Sequence, residues 1–179
     1  MKKVILMMVV VIFCAATANA QLSVGASLGT QVDTEDDNTV GFGIGINAEY
    51  LIVPNFGLGV NFGYYIMDRE KDGGVTSTAY LMPFTLTGKY YFLTEKFRPY
   101  VGADMGLYTI GLRVSGSSLS INYSDTNFGF GPVAGFQFGL SDNLAFDVNL
   151  KYSHILADGE SVGLVGLNAG IVYRFSFGR

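Results

Sequence analysis

Few residues in this sequence are of a type that does chemistry. His154 is its single histidine, and Ser153, Asp158, Glu160 and Ser161 near it are the right kinds of side chain for a nucleophile, base and acid. In an extended strand, however, Ser153 and His154 point to opposite faces, and two positions after His154 stands Leu156, not Ser. The spacing therefore predicts an interfacial histidine. A lipid-modifying barrel enzyme is retained only as a remote alternative, and no catalytic, cofactor-binding or metal residue is assigned. The acidic run Asp33-Thr34-Glu35-Asp36-Asp37-Asn38-Thr39 clusters oxygen ligands. It lacks the glycine turn and distal glutamate of a calcium loop, so it reads as a solvated acidic loop, with weak divalent bridging to lipopolysaccharide as the lesser alternative.

Six further charges, Glu49, Lys89, Asp104, Asp147, Lys151 and Arg174, lie in segments that alternate with a period of two. All six fall on the face opposite the large apolar residues, which random facing would produce about once in sixty-four trials. Ser23, Ser27, Gln31, Asn47, Asn61, Gln137, Asn149 and Asn168 share their face, whereas Tyr80, Met82, Phe84, Leu86, Tyr90 and Phe92 illustrate the other. Charge on one face and oil on the other, closed into a barrel, puts charge inside. A soluble barrel with that outer surface would aggregate. In lipid the arrangement is required, because a charge facing hydrocarbon at mid-depth costs about 2–4 kcal/mol and closure satisfies every backbone group.

The elements that must position these residues are eight strands, predicted at 22–32, 40–53, 56–67, 78–93, 99–111, 127–140, 144–156 and 162–177. The fold class is all-β, an eight-stranded antiparallel up-and-down transmembrane β-barrel. Glycine at nearly every second position argues against helices, and outside the first twenty residues no apolar run is long enough to span a bilayer as a helix. Connections are short at Pro54-Asn55, Thr94 to Arg98 and Ser141-Asp142-Asn143. They are mostly longer at Asp33 to Thr39, Asp68 to Ser77, Leu112 to Thr126 and Ala157 to Ser161. Short turns at one end and longer loops at the other predict periplasmic turns with both termini beside them. By these bounds the long loops carry −4, −1, 0 and −2.

Composition fits this class. The chain has 179 residues with 24 Gly, no Trp, only 15% charged residues and a formal net charge of −4. Eleven Lys and Arg in all are too few for a phosphate-binding surface, so no nucleic-acid partner is expected. Lys2 and Lys3 precede an apolar run from Val4 to Ala16 that ends in Ala18-Asn19-Ala20, which predicts a signal peptide over 1–20 and a barrel domain over 21–179. Cys14 falls within that leader, and Phe13 before it does not suit a lipoprotein site.

Position along the strands gives the six lumen charges a role. Glu49 lies five before Pro54, Lys89 five before Thr94, Asp104 five after Pro99 and Arg174 five before the end. These offsets predict one layer about 12 Å above the short-turn rim. Lys89 faces Asp104 if their turn centres on Lys96-Phe97, and with Asp147 and Lys151 the lumen sums to zero. Two readings follow: a salt-bridged plug, since buried charges must be paired, or a gate whose exchange of partners opens a water path. Inward Tyr65, Tyr91 and Tyr108 among inward glycines either leave voids or seat their rings on the opposite wall. Outward Tyr50, Phe56, Tyr90, Phe92, Phe138, Tyr173 and Phe175 fall near the short turns and predict a periplasmic aromatic girdle.

The stretches Arg98-Pro99-Tyr100-Val101-Gly102-Ala103-Asp104 and Phe130-Gly131-Pro132-Val133-Ala134-Gly135-Phe136, with the ending Tyr173-Arg174-Phe175-Ser176-Phe177, carry a family likeness. From Leu22 to Phe177 the chain resembles the outer-membrane protein β-barrel domain family, the small porin-family barrels of the OmpX, OmpW and OmpA-barrel types. The resemblance implies a monomer in the cell outer membrane, in contact with lipid and lipopolysaccharide and delivered by periplasmic chaperones and the barrel-insertion machinery. Tyr173, Phe175 and Phe177 resemble the C-terminal insertion signal, displaced here by Gly178 and Arg179. The expected function is structural or surface-interacting, with a plugged lumen. The alternative is a narrow passive channel for ions or small solutes, including apolar ones.

Overall fold

The computed structural model describes residues 21–34, 40–72, 75–115, 120–157 and 160–175. The predicted leader, Phe177 and most of the first acidic run lie outside these residues. Eight strands follow in chain order: β1 Gln21–Asp33, β2 Val40–Val53, β3 Phe56–Asp72, β4 Val75–Tyr91, β5 Phe97–Ser115, β6 Ser120–Gly139, β7 Leu144–Ala157 and β8 Glu160–Phe175. Each pairs antiparallel with its neighbours, and β1 pairs with β8 to close the barrel. Closure leaves the membrane-crossing part without a sheet edge, the condition a β-structure must meet in hydrocarbon.

Period-two alternation decides which residues face in. Along β2, Phe42, Ile44 and Ile46 stand out from the barrel, with 66%, 60% and 59% of their surface uncovered by protein. On the same strand the inward Glu49 is buried. Among the described residues thirty-nine large hydrophobic side chains are exposed in this way, against eleven buried ones. That inversion of a water-soluble protein's distribution is what a lipid-facing wall requires.

Two of the predicted long loops are in fact strand. Residues 68–72 pair with 75–79 and residues 112–115 with 120–123, as in Asp68↔Ala79, Asp72↔Val75, Arg113↔Asn122 and Val114↔Ile121. Val114, Ile121, Tyr123 and Thr126 of the second segment suit a pleated strand, whereas the first is paired in spite of its charged residues. Above the barrel wall both faces meet water, so the apolar/polar alternation that reveals a strand in sequence fades while the backbone ladder persists. The β3–β6 sheet therefore stands higher than β1, β2, β7 and β8. Pairing of β6 with β7 ends at Phe128↔Leu156, which leaves 120–127 bonded only to β5 among the described strands. A register slip between Ile66 and Asp68 marks where β3 leaves the wall, a usual position for a bulge.

Candidate functional site in the barrel lumen

The register of β4 on β5 corrects one sequence expectation. The turn centres one residue earlier than Lys96-Phe97, so Lys89 lies across from Gly102 and Asp104 across from Thr87. Lys89 and Asp104 thus find different partners. Lys89 Nζ lies 2.8 Å from Glu49 Oε2, across β3 from its own strand. Asp104 pairs with Lys151 of β7.

The six charges consequently divide into two groups instead of forming one layer. In the short-turn half, Arg174 donates to Gln137 Oε1 at 2.9 Å, Gln137 donates to Tyr91 Oη at 3.2 Å, and Tyr91 donates to Glu49 Oε1 at 2.6 Å. Lys89 completes this chain at the other Glu49 oxygen. Asp147 accepts from Tyr100 Oη at 3.1 Å and from Asn149 at 2.9 Å. Asn168 links onward from Asn149 at 3.1 Å to Tyr65 at 2.8 Å. Asp104 and Lys151 sit apart from these, where Tyr108 Oη lies 3.3 Å from Asp104 Oδ2 and 3.0 Å from Ser153 Oγ.

Sequence reasoning missed Arg98, which it left in a turn. It occupies the second position of β5, buried, with its guanidinium 4.4 Å from the centre of the Tyr91 ring and Nη2 donating to Pro54 O at 3.2 Å. It lies six positions before Asp104 and so shares its face, a signal that extending the strand by two residues recovers. With Arg98 counted, these lumen side chains comprise three acids and four bases, so the cluster carries one net positive charge and does not sum to zero.

A second omission is larger. Toward the loop end the lumen holds an apolar cluster of Tyr65, Leu81, Tyr108, Ile155 and Leu164, with Met67, Ile110 and Val162 packed against it. A smaller cluster of Leu51, Tyr91, Tyr100 and Val133 backs the charged half. Between them lies a cavity of about 90 Å³ lined by Asn61, Thr85, Lys89, Asp104 and Asn149 among others, polar enough and large enough for a few waters. The inward face thus turns largely apolar toward the loop end, where Gln31 remains as a buried polar side chain. The apolar positions sit where three inward periods end, at Ile110, Ile155 and Leu164.

Glycines act as seats for the inward rings. A Cβ at Gly129 would lie 2.9 Å from two Tyr108 ring carbons, and one at Gly63 would lie 2.6 Å from Tyr65 Cε2. A residue without a side chain leaves room for the Tyr108 ring on neighbouring β6 and for the Tyr65 ring two positions along its own strand.

On the outer wall near the short turns stand Phe56, Tyr90, Phe92, Phe138, Tyr173 and Phe175, all exposed, and half-buried Tyr50. Tyr90 meets Phe92 edge-on at 5.6 Å, and Tyr173 meets Phe175 at 4.9 Å. Phe97, Phe136 and Phe146 belong to the same outer band and follow from the same parity. His154 lies on the outer wall against Phe130, ring centres 5.7 Å apart. Ser153 is buried inside against Tyr108, so the two stand on opposite faces of β7.

Comparison with known proteins places the chain. The family model described as outer membrane protein beta-barrel domain matches residues 5–175. A protein of Haemophilus influenzae described as uncharacterized is 30% identical over 187 residues, covering 99% of this chain and all of that one. The crystal structure of Neisserial surface protein A superposes with a TM-score of 0.62 at 20% identity, covering 88% of this chain and 98% of that one. Ail, the attachment invasion locus protein of Yersinia pestis, gives 0.60 at 18%, covering 87% and 97%. At these identities the two structures support the fold alone.

Proposed function

This chain belongs to the outer membrane protein beta-barrel domain family and is a small barrel of the outer membrane; from that premise we propose that it works as a closed barrel with a structural or surface-interaction role. The observation that carries this reading is the pair of seals in series. A charged, hydrogen-bonded network fills the short-turn half and an apolar cluster fills the loop half. A solute crossing the lumen would have to part both, and they yield to different perturbations.

The raised β3–β6 sheet supports a surface role. It carries Leu112, Ile121 and Tyr123 exposed beyond the wall, and the 120–127 segment offers unpaired backbone groups beside β7. An edge of that kind accepts a further strand. In this reading the short turns are periplasmic, residues 1–20 are a signal peptide, and the outward rings form the interfacial girdle that seats the barrel. Tyr173, Phe175 and Phe177 present the insertion signal, and lipopolysaccharide surrounds the loop end.

The narrow-channel reading is second, favoured by the polar cavity between the seals. Single-channel conductance separates the two, recorded on refolded mature protein that shows the heat-modifiable gel shift of a folded barrel. The closed reading expects silence from the wild type, from Arg174→Ala and from Leu81→Ala alone. It expects openings only when both seals are weakened in one chain. Discrete openings in the wild type, enlarged by Arg174→Ala, would replace it with a channel gated by the charged network.

A further inference from the structure

The charge left over in the lumen is localised. In the short-turn half Glu49 is engaged by Lys89 and Tyr91, and Asp147 by Tyr100 and Asn149. Arg98 and Arg174 make no salt bridge among the described residues, and the acids whose fields reach them, Glu49 and Asp147, are already engaged by other partners. Arg98 is only 4% exposed, yet its Nε has no hydrogen-bond partner. Gln137, which accepts from Arg174, stands directly across from Arg98 in the β5–β6 register, so the two guanidinium groups share a neighbour. Two like charges held together in a poorly solvated lumen are unfavourable unless something neutralises them.

The surroundings suit a particular class of neutraliser. Tyr91 fixes the Arg98 plane from one face and Pro54 O accepts from Nη2, while the neighbouring Nε is buried without a hydrogen-bond partner. Arg174 is half-buried, with Nη2 on Gln137. Arg98 also lines a cavity at the short-turn mouth together with Gln21, Leu51, Pro54 and Thr94. A planar fork takes two oxygens at once, so it selects a carboxylate or phosphate over a spherical halide.

We propose that Arg98 and Arg174 form an oxyanion site at the short-turn mouth of the barrel, taking a phosphate or carboxylate group. A soluble periplasmic oxyanion and the phosphodiester of a lipid headgroup both have this chemistry. The site stands whether or not the lumen conducts, because it rests on the mouth alone.

The test follows the arginine Nε–Hε resonances of the refolded barrel in an uncharged maltoside detergent, titrated with inorganic phosphate or with sodium chloride at matched ionic strength. Phosphate is expected to shift the Arg98 resonance saturably, and chloride is not. Arg174→Gln should weaken the response about tenfold. Arg98→Lys keeps the charge without the fork and should weaken phosphate binding, read by the Arg174 resonance, while the gel shift reports folding. In phosphatidylcholine nanodiscs, a resonance already shifted without added phosphate assigns the site to the headgroup. One that moves only when phosphate is added assigns it to a soluble oxyanion. No shift in either medium, a shift that chloride reproduces, or a phosphate response that survives both substitutions overturns the proposal.

Discussion

The two halves of the lumen fill the same space by opposite means. Near the short turns, Glu49, Lys89, Asp147, Arg98 and Arg174 are buried or half-buried among Tyr91, Tyr100 and Gln137, and each is held by directed bonds. Near the loops, Leu81, Ile155 and Leu164 pack against the rings of Tyr65 and Tyr108 with no directed partner at all. The difference concerns what a mutation does to the residues left behind. Removing one member of a polar network strands its partner in a medium that cannot solvate it. Removing an apolar side chain leaves a hole whose cost depends on how far the neighbours relax.

That contrast is broken most directly at Glu49. Glu49→Gln leaves Lys89 without its counter-charge and should cost about 3–5 kcal/mol, measured by urea unfolding in vesicles with the gel shift as readout. The double variant Glu49→Gln, Lys89→Met should recover most of that loss, because the stranded charge goes with its partner. If the single and double variants were equally unstable, the polar half would be behaving as plain packing.

In the apolar half, Leu81→Ala should cost about 3 kcal/mol and no second substitution of a polar group should rescue it. A rescue there would erase the distinction. Gly129→Ala comes next, at about 1–3 kcal/mol, since its Cβ would meet the Tyr108 ring at 2.9 Å. Gly88→Ala is the matched control, because the nearest atom to its Cβ is a Leu58 methyl at an ordinary 3.6 Å. Equal effects at the two glycines would mean that β-propensity, and not the seating of the ring, sets the cost. The smallest effect is expected at His154→Ala, about 0.5 kcal/mol, from loss of its contact with Phe130.

Most of the barrel was legible because a lipid wall imposes a strict rule. Every second residue of a crossing strand must be apolar, and Phe42, Ile44, Ile46 and Tyr50 alternating with Gly43, Gly45, Asn47 and Glu49 obey it without exception. The rule stops where lipid stops. The hairpin parts of β3–β6 at 68–77 and 112–126 were read as loops because no wall constrains them. The inward positions of Glu49, Lys89, Asp104, Asp147, Lys151 and Arg174 followed from parity. Their partners did not, because partners depend on register: a turn centred one residue earlier moves Lys89 from Asp104 to Glu49. Arg98 was missed through a strand boundary instead, because the predicted strand began one residue after it.

The sequence alone determined that this chain makes a closed barrel of eight strands, which side chains face lipid and which face the lumen. Period, charge placement and glycine content are local quantities, and hydrocarbon penalises any departure from them. Tertiary structure alone decided which lumen charges meet, that Tyr65 and Tyr108 rest on Gly43 and Gly129 of neighbouring strands, and that an apolar cluster gathers in the loop half. Those facts join residues far apart in the chain through strand register and stagger, and side-chain periodicity along a strand does not encode either.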